Sequence, residues 1–136
     1  MAETFDLEVA TPERLVIREK ATEAQIPAKN GYIGVLPGHA PLLSQLGVGY
    51  ASYLAEGKRT FFAVNGGFVE VLPDKVRVLA ETVEKAEEIE VDRAQAALRR
   101  AQERLASPHV DVDPARALSA MFRAQARLEA VAQVRK

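Results

Sequence analysis

Four arginines have the spacing of a binding surface. Arg93 and Arg100 lie seven residues apart and Arg123 and Arg127 four apart, so each pair shares a face if its segment is helical. Guanidinium groups gathered on one face suit phosphate or an acidic protein surface, because the planar fork donates parallel hydrogen bonds to such groups. After Asp113 the only acidic residue is Glu129, which leaves the second pair poorly neutralised. For any single arginine the competing reading is ordinary solvated helix surface.

Enzyme chemistry finds little support. Gly57-Lys58 is followed by Arg59, and Ser52 stands where a phosphate-cradling loop needs its first glycine. Ser52 also replaces the third glycine after Gly47-x-Gly49, so no dinucleotide fingerprint forms. None of the four serines sits in a nucleophile elbow. His39 and His109 are the only histidines, and neither has a second ligand at metal-binding spacing. His39, within Pro37-Gly38-His39-Ala40-Pro41, is expected to satisfy loop backbone rather than transfer protons. The acidic residues from Glu81 to Glu90 read as a solvated linker into a helix N-terminus, where negative charge complements the dipole.

The elements that must hold these side chains follow from how composition divides. The 136-residue chain has 18 basic and 19 acidic residues, 48% hydrophobic content and no cysteine, which predicts one or two small units without disulfides or thiolate metal sites. All eight glycines fall between Gly31 and Gly67, and seven of the eight aromatics lie at or before Phe68. From Ala86 onward come thirteen alanines and no glycine. The chain therefore reads as β first and α second, with domains at 1–85 and 86–136. Charge divides similarly: residues 1–89 carry nine basic and thirteen acidic groups, net −4, whereas 90–136 carry nine and six, net +3. A net charge of −1 gives no hint of nucleic-acid binding. No apolar run is long enough to span a membrane, and no secretory leader is expected at the N-terminus.

Phe5, Leu7 and Val9 alternate with polar residues and predict a strand stopping near Thr11-Pro12. Between Val48 and Ala80, Glu56-Gly57-Lys58, Asn65-Gly66-Gly67 and Pro73-Asp74-Lys75 divide four apolar runs. Gaps so short predict an antiparallel meander. Residues 31–49 predict loops and short strands anchored by Leu36, Leu42, Leu43 and Leu46. Past Glu90 the period changes: Ala94, Ala97, Leu98, Ala101 and Leu105 make one stripe, ended by Ser107-Pro108. A second helix begins with Asp113 as N-cap and Pro114 at its first position, with Leu118, Met121, Gln125, Leu128 and Val131 or Ala132 on its apolar face. The fold class is thus α+β: an all-β antiparallel sandwich or flattened barrel, then an antiparallel two-helix hairpin. Its alanine-rich stripe predicts weak docking, since each buried methylene-sized group is worth only about 0.8 kcal/mol.

The segments Gly31-Tyr-Ile-Gly-Val-Leu-Pro-Gly-His-Ala-Pro-Leu-Leu43 and Phe62-Ala-Val-Asn-Gly-Gly-Phe-Val-Glu-Val71 resemble hallmark stretches of the epsilon subunit of F-type (proton-translocating) ATP synthases, bacterial type. The similarity spans essentially the whole chain, including Ile89 to Ala94 and Val110 to Asp113. It implies a noncatalytic central-stalk rotor subunit that couples proton translocation to ATP synthesis and inhibits ATP hydrolysis through an extendable hairpin. The implied partners are the gamma subunit and the c-ring, with the catalytic beta and alpha subunits in the extended state. The implied location is the cytoplasmic face of the bacterial inner membrane, reached only through the c-ring.

By the same resemblance Gly31, Tyr32, Pro37, His39, Pro41 and Leu42 belong to the rotor interface, with Tyr32 standing where relatives often carry an acid. Arg116, Arg123 and Arg127 are the implied contacts with the catalytic head. No cofactor is required, but some bacterial members bind regulatory ATP, as Mg-ATP, through an Ile/Leu-Asp-x-x-Arg-Ala motif. Ile89, Arg93 and Ala94 match it, while Glu84, Arg100, Arg123 and Arg127 match other nucleotide positions. Glu90 replaces the motif aspartate, and its longer side chain makes a poorer N-cap, which implies weaker affinity.

Two other readings stand beside this one. A freestanding ATP-binding sensor would use the same arginines but would not copurify with gamma and the c-ring. A small hydrolase would show turnover, against the lack of a paired acid, base and nucleophile.

Overall fold

Two residues at positive φ, Glu56 and Gly57, form the tight turn of a hairpin between β6 (Val48–Ala55) and β7 (Lys58–Val71). Positive φ at both central positions matches the right-handed twist of the flanking strands. The turn around Pro73-Asp74 then leads to β8 (Lys75–Lys85), antiparallel to β7. The third expected break is not a turn. Asn65-Gly66-Gly67 lies inside β7, so the stretch forms three strands instead of four. Gly66 and Gly67 have φ of +64° and +107°, and a Cβ on Gly67 would fall 1.8 Å from the Leu79 carbonyl oxygen. The glycines mark a bend in a continuous strand.

That bend makes the sandwich. The computed structural model describes residues 3–107 and 111–136. Before the bend β7 pairs with β6, and after it with β5 (Leu42–Gln45), while β8 accompanies β7 on both sides of it, from Phe62 to Val71. One layer continues from β8 to β1 (Phe5–Ala10) and β2 (Leu15–Ala21), the other from β6 to β3 (Glu23–Ala28) and β4 (Gly31–Val35). The β1–β8 pair is parallel, which the long chain segment between them permits. Phe5, Leu7, Val9, Ile26, Val35, Phe62, Val69 and Val78 belong to one buried cluster between the layers. Of the four leucines expected to anchor residues 31–49, only Leu46 is buried; Leu36, Leu42 and Leu43 face solvent.

A single 3₁₀ turn, Ala86–Glu88, joins the sheet to α1 (Val91–Ala106). The second helix, α2, runs Pro114–Val134, and Asp113 caps it by accepting from the Ala115 and Arg116 N–H groups at 3.0 and 3.3 Å. Pro108 and His109 lie outside the described residues, so the helix stop expected at Ser107-Pro108 is described only as far as Ser107, which caps the end of α1. Of the positions expected on the apolar face of α2, Val131 is buried, but Leu118 is exposed and Met121, Gln125 and Leu128 are only partly buried; the other buried positions are Ala117, Ala124, Ala126 and Ala130. Two contacts explain this. Ala126 and Ala130 meet Ala63 and Ala86 of the sheet side, while Ala117, Ala124 and Val131 recur every seven residues, the interval of a helix–helix seam with α1.

Candidate functional site

The end of β8, the 3₁₀ turn, the start of α1 and the middle of α2 enclose a cleft of about 440 Å³. Glu84 lines it from β8, Glu88 from the 3₁₀ turn, Ile89 and Glu90 from the link, and Arg127 from α2. Helix α1 contributes Arg93, Ala97 and Arg100, whose offsets of four and seven residues bring them onto one face. Alanine at 94 and 97 leaves room between the long side chains. Arg127 Nε donates to Glu84 Oε1 at 2.6 Å, whereas Arg93 and Arg100 make no ion pair among the described residues.

Six of the seven candidate nucleotide residues therefore share one cleft; Arg123, one turn before Arg127, does not line it. Three guanidiniums share this small concavity with three carboxylates, Glu84, Glu88 and Glu90, and an apolar wall at Ile89; the guanidiniums supply the kind of donor that a phosphate accepts from. Glu90 occupies the N-cap of α1 and makes no side-chain cap hydrogen bond, unlike Asp113 on α2. Glu88 lines the cleft as well, although the Glu87-Glu88-Ile89-Glu90 run reads as solvated linker; its place directly before Ile89 is the signal for it. Arg116 is exposed in the first turn of α2.

The loop candidates separate into two places. Gly31 and Tyr32 begin β4, whereas Pro37 and His39 follow that strand and Pro41 and Leu42 lead into β5. Loop geometry is fixed by Gly38, whose N–H donates to the Pro73 carbonyl at 2.8 Å, and by His39, whose Nδ1 lies 2.7 Å from the Ala40 carbonyl oxygen. The histidine thus serves loop backbone, as expected. Tyr32 instead stacks obliquely on Tyr50, with ring centroids 5.8 Å apart, and donates to the Tyr50 carbonyl at 2.8 Å. Partial burial, with Tyr50 and Glu129 nearby, pushes its hydroxyl up to about 12.

Register brings together an outer surface that single-residue reading missed. Gln45, Phe68, Leu79, Ala10 and Leu15 lie opposite one another across β5, β7, β8, β1 and β2. Phe68, Leu79 and Leu15 are 51%, 56% and 47% exposed, too much apolar surface in one row to pass as scatter. Beside it runs a charged row in which Arg77 meets Glu8 at 3.3 Å and Glu70 at 3.9 Å. Lys75, hydrogen-bonded to Glu8, holds that carboxyl below its ordinary value, and Arg77 adds to the effect. The available signal was phase: Phe68 and Leu79 alternate with the inward Val69 and Val78.

Comparison with known proteins is consistent along the chain. The beta-sandwich domain of the ATP synthase delta/epsilon chain matches residues 4–86, and the long alpha-helix domain of that chain matches 87–132. The ATP synthase epsilon chain of Solibacter usitatus is 56% identical over 128 residues, covering 94% of this chain and 96% of that one. The epsilon chain of Nitratidesulfovibrio vulgaris is 46% identical with the same coverage. Among solved structures, a chain of the Euglena gracilis mitochondrial ATP synthase assembly of OSCP, F1 and c-ring superimposes with a TM-score of 0.84 at 25% identity, covering 96% of this chain and 82% of that one. A chain of the Tetrahymena thermophila central stalk and c-ring has a TM-score of 0.62 at 13% identity, covering 93% and 96%, and attests the fold.

Proposed function

The chain belongs to the epsilon family of ATP synthase subunits, which are noncatalytic, and from that premise we propose that it works in the rotor's central stalk with a hairpin that switches between docked and extended states. The docked state has the shallow attachment such a switch requires. Two helix alanines, Ala126 and Ala130, fill the seam with the sheet, worth together about 1.6 kcal/mol at methylene-sized increments. Tyr50, Phe61 and Ile89 add partial burial around them. Glu84–Arg127 is the only ion pair from hairpin to sheet among the described residues, and at 37% and 29% side-chain exposure it adds modestly. A two-state element needs its states within a few kcal/mol, and a seam built on two alanines and one partly exposed ion pair supports that reading.

Extension would carry α2 roughly 30 Å along its own length, at 1.5 Å per residue, and present Arg116, Arg123 and Arg127 to acidic surfaces of the catalytic alpha and beta subunits. The result would be inhibition of ATP hydrolysis while proton-coupled synthesis continues. The Phe68–Leu79–Leu15 row is the proposed gamma contact, and the Pro37–Leu42 loop the proposed c-ring contact, which would hold the subunit at the cytoplasmic face of the bacterial inner membrane. No helix of the described residues is long and apolar enough to cross a membrane.

Regulatory Mg-ATP is proposed to occupy the 440 Å³ cleft, with Arg93, Arg100 and Arg127 holding phosphates. A ligand bridging α1 and α2 there would favour the closed hairpin. The freestanding-sensor alternative uses the same cleft. Hydrolysis by the assembled enzyme with and without residues 87–136 tests the main reading: faster hydrolysis on truncation supports it, and an unchanged rate removes the inhibitory role. Copurification with gamma and the c-ring in the absence of nucleotide excludes the sensor.

A further inference from the structure

The β3–β6 ladder has a gap beneath α2. Pairing runs from Glu23–Leu54 to Gln25–Ser52 and resumes only as the bridge between Ala28 and Leu46. Pro27 lies in that gap, and proline has no N–H to offer a neighbouring strand. The Leu54 carbonyl points toward the β3 side, where the Thr22 N–H donates to it at 2.8 Å. Residues four apart in a strand point their carbonyls the same way, so the Tyr50 carbonyl points there too and meets no ladder donor. The Tyr32 hydroxyl, reaching over from edge strand β4, fills the vacancy in the ladder at 2.8 Å.

The space for this reach is kept by Gly49. A Cβ at that position would come within 3.2 Å of the Pro27 side chain and 3.3 Å of the Tyr32 hydroxyl. The rings then continue inward: Tyr32 packs on Tyr50, and Tyr50 on Phe61 with centroids 6.2 Å apart. Tyr50 and Phe61 in turn pack against the cluster of Ala63, Ala86, Ala126 and Ala130. A row of aromatics from β4 through β6 to β7 is thus the floor on which α2 rests.

We infer that Tyr32 is the residue that holds this floor in shape for the hairpin: its hydroxyl closes the gap, its ring braces Tyr50, and its loss releases α2 without opening the sandwich. Tyrosine alone among the aromatic side chains here supplies both a ring and a terminal donor at that distance. Phenylalanine keeps the brace and orphans the carbonyl; a carboxylate does neither and repels Glu129. The inference rests on the proposed docked-to-extended switch, and the test separates the two.

The chain has no cysteine, so one introduced thiol reports its own accessibility. Ala130→Cys places it in the seam and Ala51→Cys in the sandwich core, both fully buried positions. Thiol labelling of the full chain should rise about fivefold at position 130 when Tyr32→Phe is added, the scale of one lost hydrogen bond, and stay unchanged at position 51. Equal acceleration at both positions, or none at 130, overturns the inference while leaving the switch intact. Labelling at 130 no faster than at 51 before Tyr32 is altered overturns both, because α2 would then leave only with global unfolding. Amide exchange of Ala124–Val131 in the cysteine-free chain, with and without Tyr32→Phe, repeats the comparison with the seam unmodified: acceleration confined to α2 supports the inference, and its absence overturns it.

Discussion

Arg127 on α2 and Glu84 on β8, 43 positions apart in sequence, meet through a 2.6 Å hydrogen bond between Nε and Oε1. The contact ties the hairpin to the sheet and also forms one wall of the arginine-lined cleft. Docking and the proposed anion recognition therefore draw on the same guanidinium.

Removing either partner should loosen the hairpin more than the sandwich. A double-mutant cycle with Arg127→Ala and Glu84→Ala, read by thermal unfolding, should give a coupling of about 0.5–1 kcal/mol, small because both side chains are about a third exposed. High salt should reduce it.

Cleft occupancy should follow the arginines that make no ion pair among the described residues. Isothermal titration with MgATP should show Arg100→Ala and Arg93→Ala weakening binding about tenfold or more, since charge-assisted bonds are the strong ones. Glu90→Asp should strengthen it by restoring a side chain short enough to cap α1. No heat with any variant or the parent chain would remove nucleotide from the proposed function.

Alkaline pH should release α2 through Tyr32. Its folded value of about 12 exceeds the ordinary 10.0, so the neutral hydroxyl is the form the fold favours. That contribution is complete below pH 10 and disappears as pH rises from 10 to 12. Ionisation removes the donor to the Tyr50 carbonyl and sets a phenolate against Glu129. A tyrosinate difference titration of the parent chain against Tyr32→Phe should show the late-titrating group vanish.

The bend in β7 should tolerate no side chain at Gly67. Gly67→Ala combines φ of +107° with a carbonyl contact of 1.8 Å and should cost about 3 kcal/mol or more in denaturant unfolding. Gly34→Ala, where nothing lies within 4 Å of an added Cβ, should stay within about 0.5 kcal/mol.

The exposed apolar row should matter to assembly and not to folding. Phe68→Glu with Leu79→Glu should leave thermal stability nearly unchanged, because both side chains are about half exposed, and should abolish copurification with gamma.

Local signals in the sequence sufficed for the start of α2, where Asp113-Pro114 is a complete start signal, and for β1, where alternation is strict. They also placed Arg93 and Arg100 together, since helical spacing alone decides that. Asn65-Gly66-Gly67 misled because the same residues serve a hairpin turn and a corner inside a strand; only pairing with Thr82 and Ala80 distinguishes them. Leu36 and Leu43 misled because hydrophobicity alone does not distinguish a core position from an exposed apolar one. By sequence Tyr32 belongs to the following loop, and its inferred role beneath α2 depends on Pro27 and Tyr50, adjacent to it only after folding.

β7 and β8 run unbroken from the Phe68–Leu79 face to the Ala63–Glu84 seat, hydrogen-bonded to each other on both sides of the bend. A neighbour gripping the first face thereby holds a stiff pair of rails whose far end bears the hairpin. Twist applied at one end is carried by this ladder toward the other, so under the proposed switch mechanical load on the first face would bias when the helices let go.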